Sequence, residues 1–223
     1  MESDPRRVVE KGYDRIAHRY AEWIEEIHGD PRLRFLTELT NRLPAAASVV
    51  DLGCGSGKPC TAILAEHHDV LGVDISIAQL ELARQNVPRA RFTREDVTRL
   101  RLDPGSVDAV TAFYSITHLP RDEHAALFAR IARWLRPGGH FLATLGCGET
   151  DGTVDDWLGV PMFFSSFDAQ RNRELLEEAD FTLLIDEIVT MREPEGPATF
   201  QWVLARADPE PENDYHTCDS FTS

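Results

Sequence analysis

The stretch Val49-Val50-Asp51-Leu52-Gly53-Cys54-Gly55-Ser56-Gly57-Lys58-Pro59 constrains this chain more than any other part of it. Its short apolar run with β-branched residues reads as a buried strand. The glycines that follow let the backbone turn sharply and approach a ligand before a helix begins. Strand, glycine turn and helix in that order open a nucleotide-binding α/β sheet. A P-loop requires GxxxxGK[ST], but the residue five before Gly57 is Leu52 and Lys58 is followed by Pro59, so that reading fails. The dinucleotide fingerprint GxGxxG places a glycine where Lys58 stands; variants of it exist, and the mismatch weakens this reading without removing it.

Beyond the loop, helical and strand patterns alternate: helix over about 58–66, strand 69–74, helix 76–86, strands 90–94 and 107–112, helix 121–135, strand 139–145. This predicts a parallel sheet covered by helices on both faces. Arg136-Pro137-Gly138-Gly139 reads as the stop of one helix and the start of the next strand. Ahead of the loop, apolar residues at helical spacing (Val9, Tyr13, Ile16, Tyr20, Trp23, Ile24 and Ile27, then Leu33, Leu36, Leu39 and Leu43) predict two helices split at Gly29-Asp30-Pro31. Residues 146–168 are rich in glycine, acids and aromatic rings without a clean period, and read as a functional loop or lid. A helix over 169–179 and strands over 181–189 and 199–206, separated by Glu193-Pro194-Glu195-Gly196-Pro197, predict a closing antiparallel hairpin. The expected organisation is an N-terminal helical cap (1–45), a core (46–207) carrying the lid insertion 146–168, and a polar, disordered tail (208–223).

The segment DLGCGSG, Asp51 to Gly57, resembles the first motif of the class I (Rossmann-like) S-adenosylmethionine-dependent methyltransferases of small-molecule type. Four further segments resemble that family in the family's order: Val70-Leu71-Gly72-Val73-Asp74-Ile75-Ser76, then Arg91 to Val97, then Ser106 to Pro120, then Trp134-Leu135-Arg136-Pro137-Gly138-Gly139. Together they cover roughly residues 47–145, and the ordered set is far more specific than any one piece. The resemblance implies a single Rossmann-like α/β domain, a seven-stranded, mostly parallel sheet with helices on both faces and the last strand inserted antiparallel. It also implies S-adenosyl-L-methionine as methyl donor and S-adenosyl-L-homocysteine as product.

An acidic residue about 20 positions past the glycine turn can bond both ribose hydroxyls of an adenosine cofactor, and Asp74 stands 21 residues beyond Gly53. The resemblance places Gly53, Gly55, Ile75 and Phe113 along the cofactor, Asp96 at the adenine amino group with Val97 beside it, and Tyr13 and Tyr20 at the methionine end. Plainer readings stand next to these. Asp51 either reaches the ligand or orients the glycine loop; Asp96 can instead cap a short helix after it; Tyr13 and Tyr20, seven apart on an apolar face, can simply be core. The carboxyl end of the fourth strand, where α/β sheets place their ligands, carries the catalytic candidates His118 and Tyr114. His118 has a suitable unperturbed pKa for taking a proton, but a histidine here can also only pack beside the next helix. Tyr114 orients substrate or fills a wall. Trp23, Trp157, Met162, Phe163 and Phe167 form the expected acceptor pocket, or serve as lid packing.

The formal charge of -15, from 38 acidic against 23 basic side chains, repels a phosphate backbone, so no nucleic-acid partner is expected. The fourth strand runs into Ala112-Phe113-Tyr114-Ser115 rather than the Asn/Asp-Pro-Pro-Tyr/Phe motif of enzymes that methylate base amino groups. No acid stands at that strand end to hold Mg²⁺, the nearest being Asp122 and Glu123, and no metal is expected. Four cysteines without CxxC pairing read as free thiols. No run approaches the roughly 20 apolar residues of a membrane span, and the start lacks the apolar core of a signal peptide, so no membrane partner and a cytoplasmic location are expected. The expected function is methyl transfer to an oxygen or nitrogen of a small-molecule acceptor, by a monomer or homodimer. An NAD-dependent oxidoreductase and a non-catalytic S-adenosylmethionine-binding regulator are the alternatives. The first of these leaves the fourth- and fifth-strand segments unexplained.

Overall fold

Val49 and Val50 point to opposite faces of one strand and belong to two different hydrophobic clusters, the alternation that a sheet covered on both sides requires. In the computed structural model, which describes residues 4–208, the chain runs α1 (Pro5–Glu25), α2 (Arg32–Thr40), β1 (Ser48–Leu52), α3 (Cys60–Leu64), β2 (Asp69–Asp74), α4 (Ile77–Asn86), β3 (Arg91–Arg94), β4 (Val107–Ala112), α5 (His124–Trp134), β5 (Leu135–Gly146), β6 (Thr150–Trp157), β7 (Val160–Ser166), α6 (Ala169–Glu177), β8 (Phe181–Glu193) and β9 (Gly196–Ala207). The main sheet has seven strands in the order β3-β2-β1-β4-β5-β9-β8. β1 pairs in parallel with both β2 and β4, whereas β9 is antiparallel to both β5 and β8. The strand order reverses between β1 and β4, and the crevice at their carboxyl ends is where an open α/β sheet binds its ligand.

On one face Val50, Val110, Phe141 and Val203 pack with Phe128 and Ile131 of α5 and Leu175 and Leu176 of α6. On the other, Val49, Ala109, Leu142, Trp202 and Leu204 pack with Phe35, Leu36 and Leu39 of α2 and Leu64 of α3. The buried stripe of α2 is Arg32, Phe35, Leu36 and Leu39, while Leu33 is 53% exposed. The sequence reading that put Leu33 on the apolar face is corrected here: the i, i+3, i+4, i+7 stripe starts one residue earlier, on an arginine.

Residues 146–168 are not an aperiodic loop. They fold into an antiparallel hairpin, β6 with β7, turning at Leu158-Gly159. This hairpin lies under α1, and Gly12 permits the close crossing: a Cβ there would sit 2.7 Å from Met162 Cε and 3.2 Å from the Pro161 carbonyl. Val9, Ile16, Trp23, Val160 and Met162 form the third cluster between them. The expected helix over 121–135 is a short 3-10 turn (Arg121–Glu123) followed by α5. β5 starts at Leu135 rather than at residue 139, absorbing the Pro137-Gly138 signal as a register irregularity opposite β4. Asp208, where the tail was expected to begin, is fixed by its amide to Asp180 O (3.0 Å) and by the Thr182 hydroxyl on its carboxylate. The tail expectation for residues 209–223 lies outside the described residues. No helix among the described residues is long and apolar enough to cross a membrane.

Candidate active site

The carboxyl ends of β1, β2 and β4 meet around a cavity whose walls include Gly53, Asp74, Asp96 and Phe113. Gly53 sits at φ +70°, and a Cβ on it would lie 2.3 Å from Ser115 Cβ, so no other residue fits there. Ser115 holds the two strand ends together by donating from Oγ to Leu52 O at 2.7 Å. The preceding residue, Tyr114, takes φ +55°, an uncommon conformation for an aromatic residue that is stored where strand turns into site. Asp74 Oδ2 accepts from the Gly55 amide and Oδ1 from the Ser76 amide, both at 2.9 Å. Burial raises its pKa to about 6, against the lowering effect of those amides. Gln79, on the first turn of α4, lines the same cavity and leaves both its amide nitrogen and oxygen buried without a protein partner. Unpaired buried polar atoms cost about 1–3 kcal/mol each; a polar ligand against this wall removes that cost.

Gly53, Gly55, Asp74, Ile75, Asp96, Val97, Phe113, Tyr13 and Tyr20 all line this cavity. Asp96 is heavily engaged. Its Oδ1 accepts from the Thr98 amide (2.8 Å) and hydroxyl (2.7 Å), as the capping reading requires, and Oδ2 accepts from Arg6 Nε (2.7 Å). Arg6 also donates from its second nitrogen to both oxygens of Glu123, at 2.5 and 2.6 Å. A clamp of Asp96, Arg6 and Glu123 thus ties the start of α1 to the far side of the cavity mouth. Asp51 does not line this cavity. Its carboxylate accepts from the hydroxyls of Thr61 (2.5 Å) and Thr111 (2.7 Å), locking α3 to β4, and it borders a smaller recess with Arg32 and Cys60.

A second cavity adjoins the first and shares Tyr13, Tyr20, Tyr114 and His118 with it. Trp23, Trp157 and Phe164 line it, with Arg32, Met191 and Glu193. His118 lies between the cavities, and both of its ring nitrogens are used. The Phe163 carbonyl 2.8 Å away can only accept, so Nδ1 carries the proton, and Nε2 accepts from the Tyr13 hydroxyl at 2.8 Å. Burial pulls its pKa down from 6.5 to about 4, the Phe163 carbonyl opposing. The imidazole is therefore neutral at pH 7, with its lone pair occupied, and holds Tyr13 in place instead of standing ready to take a proton. In an NMR titration its ring signals are expected to stay in the Nδ1-protonated neutral form down to about pH 5. A midpoint near 6.5 would contradict this burial. The same depressed pKa makes His118 subtract stability as pH falls from 6.5 towards 4, because the unfolded chain binds that proton first.

Three of the expected acceptor residues are not brought to either cavity. Met162 is fully buried beneath Gly12, Phe163 is buried in the cluster between α1 and the hairpin, and Phe167, past the end of β7, packs beside His124 and beneath Arg121. Hairpin pairing and the link to α6 carry them away from Trp157, with which the sequence groups them. Conversely, Arg6, Gln79, Arg32, Phe164 and Glu193 line the cavities although no sequence motif marks them as site residues. For Arg32 a signal existed, a cation at the head of an apolar helical stripe. It is nearly buried, and although burial works against its charge, Asp30, accepting from Arg32 Nε at 2.7 Å and from a terminal nitrogen at 2.5 Å, holds its pKa above the usual value. For Glu193, at the tip of a predicted hairpin 75 residues after His118, no local pattern pointed to the site.

Comparison with known proteins agrees with this geometry. A family model described as a methyltransferase domain matches residues 49–139, which contains the glycine loop, Asp74, Asp96 and His118. Methyltransferase GfsG of Streptomyces halstedii is 31% identical over 202 residues, covering 80% of this chain and 71% of that protein. The chain belongs to the class I S-adenosylmethionine-dependent methyltransferases. Within the family, it is 32% identical over 174 residues to an O-methyltransferase of Pyrenophora dematioidea, covering 72% of this chain and 63% of that protein. It is also 40% identical over 115 residues to trans-aconitate 2-methyltransferase of Azoarcus sp., covering 49% of this chain and 44% of that one. The chain thus spans less than two thirds of the length of these two relatives. Its fold is that of a solved Burkholderia thailandensis 1,6-didemethyltoxoflavin-N1-methyltransferase, with a TM-score of 0.68 at 24% identity over 90% of this chain and 87% of that one. The chemistry of the cavity fits the family's cofactor: carboxylates at the β2 and β3 ends, glycine backbone and the unpaired Gln79 amide all face it.

Proposed function

We propose that this methyltransferase carries a methyl group from S-adenosylmethionine, held in the first cavity, to an oxygen or nitrogen of a small molecule held in the second. The observation that supports this reading is the shared wall of Tyr13, Tyr20, Tyr114 and His118. Two cavities meeting at one wall allow a donor and an acceptor to face each other across it. Methyl transfer of this kind is an in-line displacement, whose chief demands are alignment and exclusion of water. Tyr13, locked by His118, and Tyr114, whose hydroxyl donates to Asp30 Oδ1 at 3.1 Å, are the positioning groups on that wall. α1 and the β6–β7 hairpin cover it. A small acceptor fits better than a macromolecule, because the second cavity lies under these two elements and the chain's charge of -15 repels nucleic acid.

Isothermal titration tests the donor half directly. S-adenosylmethionine and S-adenosylhomocysteine are expected to bind with micromolar affinity and NAD not at all; binding of NAD alone would overturn the reading. Turnover of labelled S-adenosylmethionine with a panel of small alcohols, carboxylates and amines then separates an enzyme from a protein that only binds the cofactor.

A further inference from the structure

Among the described residues Glu193 is the one carboxylate lining the second cavity, and its side chain makes no hydrogen bond or ion pair with any of them. It stands at the last position of β8, next to the hairpin turn, half-buried. The cavity's one cation is already spent, since Arg32 gives both Nε and a terminal nitrogen to Asp30 Oδ2. Glu195, just beyond, accepts from Trp23 Nε1 at 3.0 Å and brings a second carboxylate to this edge. The rest of the wall is aromatic. Tyr20 stacks on Trp23 with ring centres 5.9 Å apart, and Trp157 closes against both at 5.7 and 5.9 Å. Aromatic walls attract cations through their ring quadrupoles and accommodate apolar rings at the same time. An anionic acceptor would meet Glu193, with Glu195 at the edge, and no uncommitted cation among the described lining residues.

We propose that the acceptor is an amine that enters as its ammonium form on an apolar, ring-bearing body, with Glu193 receiving its proton. This rests on the second cavity being the acceptor site. The step balances as follows. The ammonium N–H gives its proton to the Glu193 carboxylate, and the freed nitrogen lone pair bonds to the methyl carbon. The carbon–sulfur bond breaks with its electron pair going to sulfur, leaving neutral S-adenosylhomocysteine and an N-methylammonium product; Glu193 then returns the proton to water. Burial, with Glu195 and Asp30 nearby, pushes the pKa of Glu193 up to about 7, which lets it accept and release a proton near neutrality. The net acidity of the chain steers cations towards it.

The test uses three near-isosteric probes: 2-phenylethylamine, 2-phenylethanol and 3-phenylpropanoate. Each is offered to the intact protein with labelled S-adenosylmethionine, and its binding to the S-adenosylhomocysteine complex is followed by tryptophan fluorescence. The amine is expected to bind and turn over at least about tenfold better than the other two, the share of one charge-assisted hydrogen bond. Glu193→Gln, which keeps the shape, is expected to lower kcat/KM for the amine about tenfold or more. Its affinity for S-adenosylhomocysteine and its melting temperature stay unchanged, which a merely structural role would not allow. Preference for the alcohol or the carboxylate, no response to the amine, or an unaffected Glu193→Gln would overturn the proposal. Loss of S-adenosylhomocysteine binding in the unmodified protein would instead overturn the reading on which it rests.

Discussion

Asp74→Ala is expected to weaken S-adenosylhomocysteine binding by about a hundredfold or more. Two hydrogen bonds from ribose hydroxyls to an ionised, desolvated carboxylate would account for about 3–6 kcal/mol at 1.5–3 kcal/mol each. The same carboxylate accepts from the Gly55 and Ser76 amides, so alanine also loosens the glycine loop that the ligand would rest on. Asp74→Asn keeps one acceptor oxygen and is expected to fall between the two. Isothermal titration of both variants, with circular dichroism to establish folding, checks this; wild-type affinity in Asp74→Ala would remove Asp74 from the cofactor site. Affinity is further expected to fall as pH drops below about 6, where the carboxyl of the free protein takes up its proton. In the free protein this group acts in the opposite sense on folding. Its pKa is raised from 3.8 to about 6, so it subtracts stability as pH rises through that window. His118 subtracts stability as pH falls through much of the same range. Ligand affinity, where Asp74 acts without that opposition, is therefore the cleaner observable.

The second large effect concerns folding. Trp202→Ala is expected to cost about 3–5 kcal/mol, the range for removing a fully buried aromatic side chain, and to lower the melting temperature by about 10 °C in a chain of this size. Trp202 has no exposed surface and lies face to face with Phe35 at 4.8 Å and 5°. Phe113, at the edge of the first cavity, tilts against it at 6.1 Å. One side chain therefore docks α2, which carries Arg32, onto the sheet and backs the cofactor wall. Differential scanning calorimetry measures the loss; a change under 1 kcal/mol would mean that α2 is held by something else. Trp202→Phe, which refills most of the volume, is expected to recover more than half of the loss.

Much of the architecture was legible from local pattern. The alternation of strand and helix signals from Val49 to Leu145 corresponds to the parallel part of the sheet, since β1, β2, β4 and β5 each bury an apolar run and the glycine loop, Pro104-Gly105 and Pro137-Gly138 mark turns between elements. The closing hairpin was legible from its turn residues, although β8 runs four residues longer than expected, to Glu193, and that extension is what delivers Glu193 to the second cavity. The stretch 146–168 was not legible. β6 is mostly exposed and keeps few apolar positions, so its period of two is hidden, and it acquires its strand form from pairing with β7 and from α1 above. Asp51 illustrates a different limit: its place in the motif was evident, but its partners, Thr61 and Thr111, lie 10 and 60 residues away and are chosen by packing.

What the sequence by itself determined is the backbone plan and the cofactor end of the site. Glycine turns, strand ends and an acid at a set distance are separated by single strands and helices, and short-range geometry links them. What only the tertiary structure decided is the second cavity. Trp23 meets Glu195 across 172 residues, and Tyr13 meets His118 across 105. Such pairs come together only after the sheet has formed and α1 and the two hairpins have closed on it, because contacts between distant segments depend on how whole elements pack and leave no periodic trace in the chain.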